Sequence, residues 1–157
     1  MVRRALARKF LALIPTAPGC ATLGLMSANW IDSLKFDDKG LIPAVTVDDA
    51  TGDVLMQAFL NREALEKTLE TGEVHYFTRS RGRLWRKGEE SGNVQKLKGL
   101  YVDCDAPDCL LLRVEQVGGA ACHTGHRSCF YRKVLPDGSL ETVGKPLFDP
   151  KKVYKKA

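Results

Sequence analysis

The chain has 157 residues, 44% of them apolar and 27% charged, with a formal net charge of +5. That length suits one globular domain with a single core, and no apolar run approaches the ~20 residues needed to cross a bilayer. The positive charge sits at the ends. Arg3, Arg4, Arg8 and Lys9 come with no acid in residues 1–27, and residues 151–157 hold four lysines, which leaves the body between them at −3. A polyanion-binding protein concentrates its bases on the folded face, so neither nucleic acid nor membrane is the expected partner.

In chain order, residues 1–27 read as an extension, expected to be disordered or dispensable; an Arg-rich targeting peptide is the competing reading. Residues 28–150 form the domain, and 151–157 a basic tail. A short helix is expected near Ser27–Leu34. LIPAVTV reads as a strand, Asp48–Gly52 as a turn and VLMQAFL as the antiparallel partner. Asn61 is a good N-cap for a helix over REALEKTLE, and Gly72 supplies its stop. EVHYFTR is a strand. The stretch from Ser80 to Gly99 is polar, rich in Gly and Arg, and long for an idle loop, which marks it as a functional loop. KGLYVDCD and CLLLRVEQV read as strands. CFYRKVL and SLETV flank the hairpin signal Pro136-Asp137-Gly138. The class is α+β: a twisted, mainly antiparallel sheet with a few flanking helices.

Five cysteines is an odd number, and four fall between residues 104 and 129 beside Asp and His, which argues for reduced thiols and metal ligation. If Asp103-Cys104-Asp105 is extended, the two carboxylates point one way and the thiol the other. Carboxylates suit Mg²⁺ and thiolates suit Zn²⁺. Cys122 and Cys129 lie seven apart in ACHTGHRSCFY, with Gly125 allowing the chain to fold back. With Cys104 they make three thiolates, the usual protein-ligand count of a catalytic zinc. A fourth ligand from His123 or His126 would instead close a structural site, and that alternative stays open. His123 and His126 are proton-transfer candidates beside a metal-bound water. Cys109 reads as a small core residue, and Cys20 has no recognisable role. His75 reads as packing or substrate-facing.

Arg79, Arg81, Arg83, Arg86, Lys87, Lys96 and Lys98 against Glu89 and Glu90 give the loop region a local +5. Trp85 offers a flat surface for a ring to stack on. Together these describe a site for an anionic aromatic small molecule such as a nucleotide; a solvated basic loop is the competing reading.

FDDKGLIPAV, LNREALEKTLETGEVHYFTRSRGRLWRKGEESGNVQ, VDCD and ACHTGHRSCFY occur in this order in phosphoribosyl-AMP cyclohydrolases, which the chain resembles from about Trp30 to Lys133. The resemblance implies a cytoplasmic, zinc- and magnesium-dependent hydrolase of histidine biosynthesis. It would open the adenine ring of 1-(5-phosphoribosyl)-AMP at the N1–C6 bond. The resemblance also implies an intertwined homodimer with its metal site shared between subunits, one zinc and one magnesium per subunit. Zinc falls to Cys104, Cys122 and Cys129, and magnesium to Asp103, Asp105 and Asp108. The Asp105–Asp108 spacing is one residue longer than the family pattern. The catalytic candidates are His123 and His126, and the substrate-binding set is Arg79, Arg83, Trp85, Lys87, Glu89, Ser91, Asn93 and Gln95. The short stretch after Lys133 implies a monofunctional enzyme. The alternatives are a non-catalytic zinc module or an inactive paralogue of the same fold.

Overall fold

The computed structural model describes residues 29–154. The expected N-terminal extension, Cys20 included, and the last three residues lie outside that range. Asn29–Asp32 (α1) is a single helical turn, shorter than the sequence suggests. The strand β1 (Ile42–Asp48) alternates buried and half-buried side chains along its length, as a strand with one face on a core must. Its partner β2 (Val54–Leu60) runs antiparallel, with Ile42 opposite Leu60 and Thr46 opposite Met56. Asp48 holds the turn between them, its carboxylate accepting the N–H groups of Ala50 and Thr51 at 3.1 Å each.

Helix α2 (Arg62–Thr71) starts where the sequence says it should. Asn61 accepts the Ala64 N–H at 2.8 Å, and Gly72 closes the far end in the left-handed conformation at φ 69°. Ala64, Leu65 and Thr68 are its buried face. The Thr68 hydroxyl accepts the His75 N–H at 2.9 Å and so ties the helix to the next strand.

The remaining strands are β3 (His75–Thr78), β4 (Arg83–Arg86), β5 (Gln95–Val102) and β6 (Leu110–Gln116), giving a six-stranded sheet in the order β4-β3-β2-β1-β6-β5. The α+β class holds, but the sheet is mixed. β6 runs antiparallel to β5 but parallel to β1, with Ala44 opposite Leu110 and Asp48 opposite Val114. Local patterning does not carry that pairing, since a strand's alternation is the same beside a parallel or an antiparallel neighbour.

The polar stretch 80–99 is also more ordered than a loop. It contains all of β4 and the first half of β5, leaving residues 87–94 as the true connection. At the other end of β5 the strand stops at Val102. Asp103 accepts the Asp105 N–H at 2.9 Å, so the acidic tripeptide turns instead of continuing extended. β7 (Arg132–Val134) and β8 (Leu140–Thr142) form the expected hairpin, a separate sheet with every residue exposed. A last turn, α3 (Pro150–Val153), follows within a segment that the sequence reading leaves without structure.

Leu55, Leu60, Leu65, Val74, Leu110, Leu112 and Val114 fill the core. A polar chain runs through it. Thr46 and Tyr76 share a hydrogen bond of 2.7 Å, the Tyr76 hydroxyl donates to Gln95 at 2.7 Å, and the Gln95 amide donates to Gln116 at 2.9 Å. Each hydroxyl has one proton, so Tyr76 donating to Gln95 leaves Thr46 donating to Tyr76. Buried polar groups satisfied in this way fix the registry of β1, β3, β5 and β6 against one another.

Candidate active site

β3 and β4 pair with Tyr76 opposite Trp85, and their rings meet at 5.7 Å, tilted by 35°. That contact seats the indole in the wall of a cleft of about 960 Å³. The chain then leaves β4 at Lys87, whose N–H donates to the Val74 carbonyl. Gly88 follows at φ 83°, and a Cβ there would fall 2.5 Å from the Asn93 carbonyl carbon. Only glycine allows residues 88–93 to fold back so tightly. The fold-back presents Gly88, Glu89, Glu90 and Ser91 to the cleft together with Arg81, Trp85 and Lys87. His123 lines the same cleft, and so do Pro150, Lys151 and Tyr154 from the C-terminal segment.

Lys87 is buried, 4% exposed, with its ammonium 5.9 Å from the Trp85 ring centre. Burial lowers its pKa, and the charges of Cys129 and Cys122 pull the other way. The Lys87 ammonium thus lies within electrostatic reach of both thiols. Cys122 and Cys129 are brought together by two backbone devices. The Cys122 N–H donates to the His126 carbonyl and the Gly125 N–H to the Cys122 carbonyl, closing residues 122–126 into a tight turn. The Cys129 N–H donates to the Leu55 carbonyl, pinning the second thiol to β2. Partial burial, and then the neighbouring Cys122, push the Cys129 thiol up to about 12. Two thiols this close resist joint ionisation, and a soft divalent cation between them would reverse that preference.

The Thr124 hydroxyl sits 3.0 Å from the Cys122 sulfur and 3.1 Å from His126 Nδ1. The His126 ring stacks on Tyr131 at 3.8 Å, nearly parallel, and its Nε2 is buried without a partner. His126 thus stands behind Cys122, away from the cleft lining, while His123 is the exposed histidine in it.

Cys104 lies on the exposed turn after β5, and it does not join the other two sulfurs. Among the described residues no three His, Cys, Asp or Glu side chains converge as a metal would require. Within one chain, Cys122 and Cys129 are the two sulfurs that lie together. Asp103, Asp105 and Asp108 are all exposed on the Cys104 turn. Cys109 is half-buried with its thiol pKa raised by burial, as a small packing residue's would be.

The expected substrate-binding residues divide. Trp85, Lys87, Glu89 and Ser91 line the cleft. Arg83 pairs with Glu89 at 3.2 Å, and Arg79 lies over the Phe59 ring at 4.0 Å. Asn93 is buried, and Gln95 is wholly enclosed in the Tyr76 network. His75 is buried with Nδ1 on the Glu73 carbonyl. Sequence reasoning missed Pro150, Lys151 and Tyr154. Asp149-Pro150, an N-cap followed by proline at the first helical position, is the signal that marks a turn there.

The family model for phosphoribosyl-AMP cyclohydrolase matches residues 56–131, a span that holds Trp85, Lys87 and the Cys122 turn and ends before the C-terminal segment. The phosphoribosyl-AMP cyclohydrolase of Aromatoleum aromaticum is 54% identical over 129 residues, covering 82% of this chain and 96% of that protein. That of Desulfatibacillum aliphaticivorans is 62% identical over 117 residues, covering 74% and 92%. That of Rhodopseudomonas palustris is 52% identical over 146 residues, covering 90% and 98%.

Proposed function

The chain belongs to the phosphoribosyl-AMP cyclohydrolase family, and on that premise we propose that it hydrolyses the N1–C6 bond of the adenine ring in 1-(5-phosphoribosyl)-AMP. The product is 5-[(5-phosphoribosylamino)methylideneamino]imidazole-4-carboxamide ribotide, and the step belongs to histidine biosynthesis. The observation that carries this reading is one cleft lined by an indole, a buried lysine and an exposed histidine, the histidine next in the chain to Cys122.

Each residue has work to do there. Trp85 offers its face to the purine. Lys87 compensates negative charge at the thiols, where a cation in a dry setting acts strongly. His123, exposed to the cleft, delivers a proton to the departing N1 as the ring opens. Zinc, when bound, would supply the Lewis acidity that brings a water's pKa to about 7. Cys122 and Cys129 would hold it from one chain. The separation of Cys104 from them supports a third ligand given by Cys104 of the partner subunit.

A homodimer agrees with the exposed apolar side chains of Phe130, Val134, Leu140, Val143 and Leu147, at 54 to 67% exposure. A patch of that kind favours a protein contact over water. Asp103, Asp105 and Asp108 are hard-oxygen donors suited to magnesium. The protein acts in the cytoplasm, where free thiols stay reduced, and among the described residues no helix is long and apolar enough to cross a membrane.

The experiment is direct. The full chain, purified with zinc and magnesium, is given phosphoribosyl-AMP and ring opening is followed by ultraviolet absorbance. Turnover that Cys122→Ser removes, with the circular dichroism spectrum retained, supports the reading; absence of turnover by the metal-loaded wild type rejects it.

A further inference from the structure

The segment from Lys145 to Tyr154 lies beyond the hairpin and beyond the stretch that carries the cysteines, yet it is built onto the site. The Leu147 N–H donates to the Gly125 carbonyl at 2.8 Å. Gly125 itself is the contact surface. It sits at φ 87°, and a Cβ there would lie 2.4 Å from the Phe148 carbonyl oxygen and 3.2 Å from the Pro146 side chain. A side chain at position 125 is therefore excluded both by backbone conformation and by this segment's approach. Leu147 also comes within 3.2 Å of a Cβ position on Gly119.

From that anchor the segment turns back toward the cleft. Asp149 accepts the Lys151 N–H at 3.0 Å, the Tyr154 N–H donates to the Pro150 carbonyl, and the Phe148 and Tyr154 rings pack at 6.3 Å. These contacts place Lys151 and Tyr154 in the cleft wall with Trp85, Lys87 and His123.

The cleft's charges assign the segment a purpose. Glu89 is matched by Arg83, and Lys87 is buried. Arg81 and Lys151 make no ion pair among the described residues. Glu90, the remaining carboxylate of the lining, is likewise exposed and without an ion pair among the described residues, so the two cations leave one positive charge in surplus, suited to a substrate phosphate, for which lysine is a common point-charge partner.

We infer that residues 145–154 form a substrate-binding arm, in which Lys151 receives a phosphate of the nucleotide and the Tyr154 hydroxyl stands beside it. The inference deepens the proposed function and rests on it for the identity of the substrate. The arm gives the site its preference for phosphorylated over unphosphorylated nucleosides. Lys151 touches the substrate away from the reacting bond, so it acts on binding and leaves the chemical step alone.

The test uses the zinc-loaded full chain and two probes, AMP and adenosine, with affinities measured by calorimetry for wild type, Lys151→Ala and Lys151→Arg. Removing a charged hydrogen-bond partner should weaken AMP by about tenfold, leave adenosine within about twofold, and be largely restored by arginine. In turnover, Lys151→Ala should raise KM by a similar factor with kcat within about twofold. AMP affinity unchanged by Lys151→Ala, a parallel loss for adenosine, or no AMP binding by the wild type would each overturn the arm. Wild-type turnover is read separately, so failure of the hydrolase reading and failure of the arm remain distinguishable.

Discussion

The hydroxyl of Thr124 rests 3.0 Å from the sulfur of Cys122, inside the turn that brings Cys122 against Cys129. The same oxygen meets His126 Nδ1, whose ring is clamped by Tyr131. If Cys122 is a thiolate, the hydroxyl proton points to sulfur and the imidazole donates to the hydroxyl oxygen, an arrangement that fixes both partners. Partners behind a metal ligand typically govern metal affinity by about 10- to 100-fold. Thr124→Val keeps the shape and removes the donor. It is expected to release zinc to a chelator at about tenfold lower chelator concentration, with melting temperature of the metal-free protein little changed. Equal chelator resistance in the two proteins would detach Thr124 from the metal.

Trp85 is held from behind by Tyr76 and reaches into the cleft. A base stacked on an aromatic side chain contributes about 1–3 kcal/mol. Trp85→Phe retains part of the stack and the contact with Tyr76, whereas Trp85→Ala loses both. KM should therefore rise in the order wild type, Phe, Ala, reaching about tenfold or more for alanine by steady-state kinetics. A KM that stays flat across the series would take the purine off the indole.

Asp48 links the β1–β2 turn to the cysteine turn. Burial would raise its pKa, but the Thr51 and Ala50 N–H groups and the Arg127 guanidinium at 3.2 Å outweigh that and hold it below the usual carboxylate value. A carboxyl depressed in the folded state stabilises the fold above its unfolded pKa of about 3.9. That stabilisation is lost as pH falls through the lower folded value. Asp48→Asn should lower the melting temperature at pH 7 by a few degrees. The gap between wild type and variant should close on acidification below about pH 4. A gap that does not narrow at all as pH falls below about 4 would mean that the charge is irrelevant.

Some of this was readable in the sequence and some was not, and the division has a physical cause. Asn61 and Gly72 mark the ends of α2, and Pro136 to Gly138 mark the β7–β8 turn, because caps and turns are chosen by residues a few positions apart. The parallel seam between β1 and β6 joins residues more than sixty apart and leaves no local trace. The expectation that Asp103 and Asp105 share a strand face assumed an extended chain, and the Asp103 side chain breaks that by capping its own turn. Gln95 stands in the expected substrate-binding set through the family resemblance. Its amide is satisfied inside the core by Tyr76 and Gln116, which no composition rule reveals. Trp85 and Lys87 stand out in the sequence and both line the cleft, whereas the burial of Lys87 needed the fold.

The proposed metal site is completed by two chains, with Cys122 and Cys129 from one and Cys104 from the other. Cys104→Ser and Cys122→Ser variants should each be inactive alone. When they are unfolded, mixed in equal amounts and refolded together with zinc, about half the dimers are mixed, and each of those holds one intact site of two. The expected result is recovery of about a quarter of wild-type ring-opening activity, set by that random pairing. No recovery from verified mixed dimers, or full activity in either variant alone, would contradict the shared site.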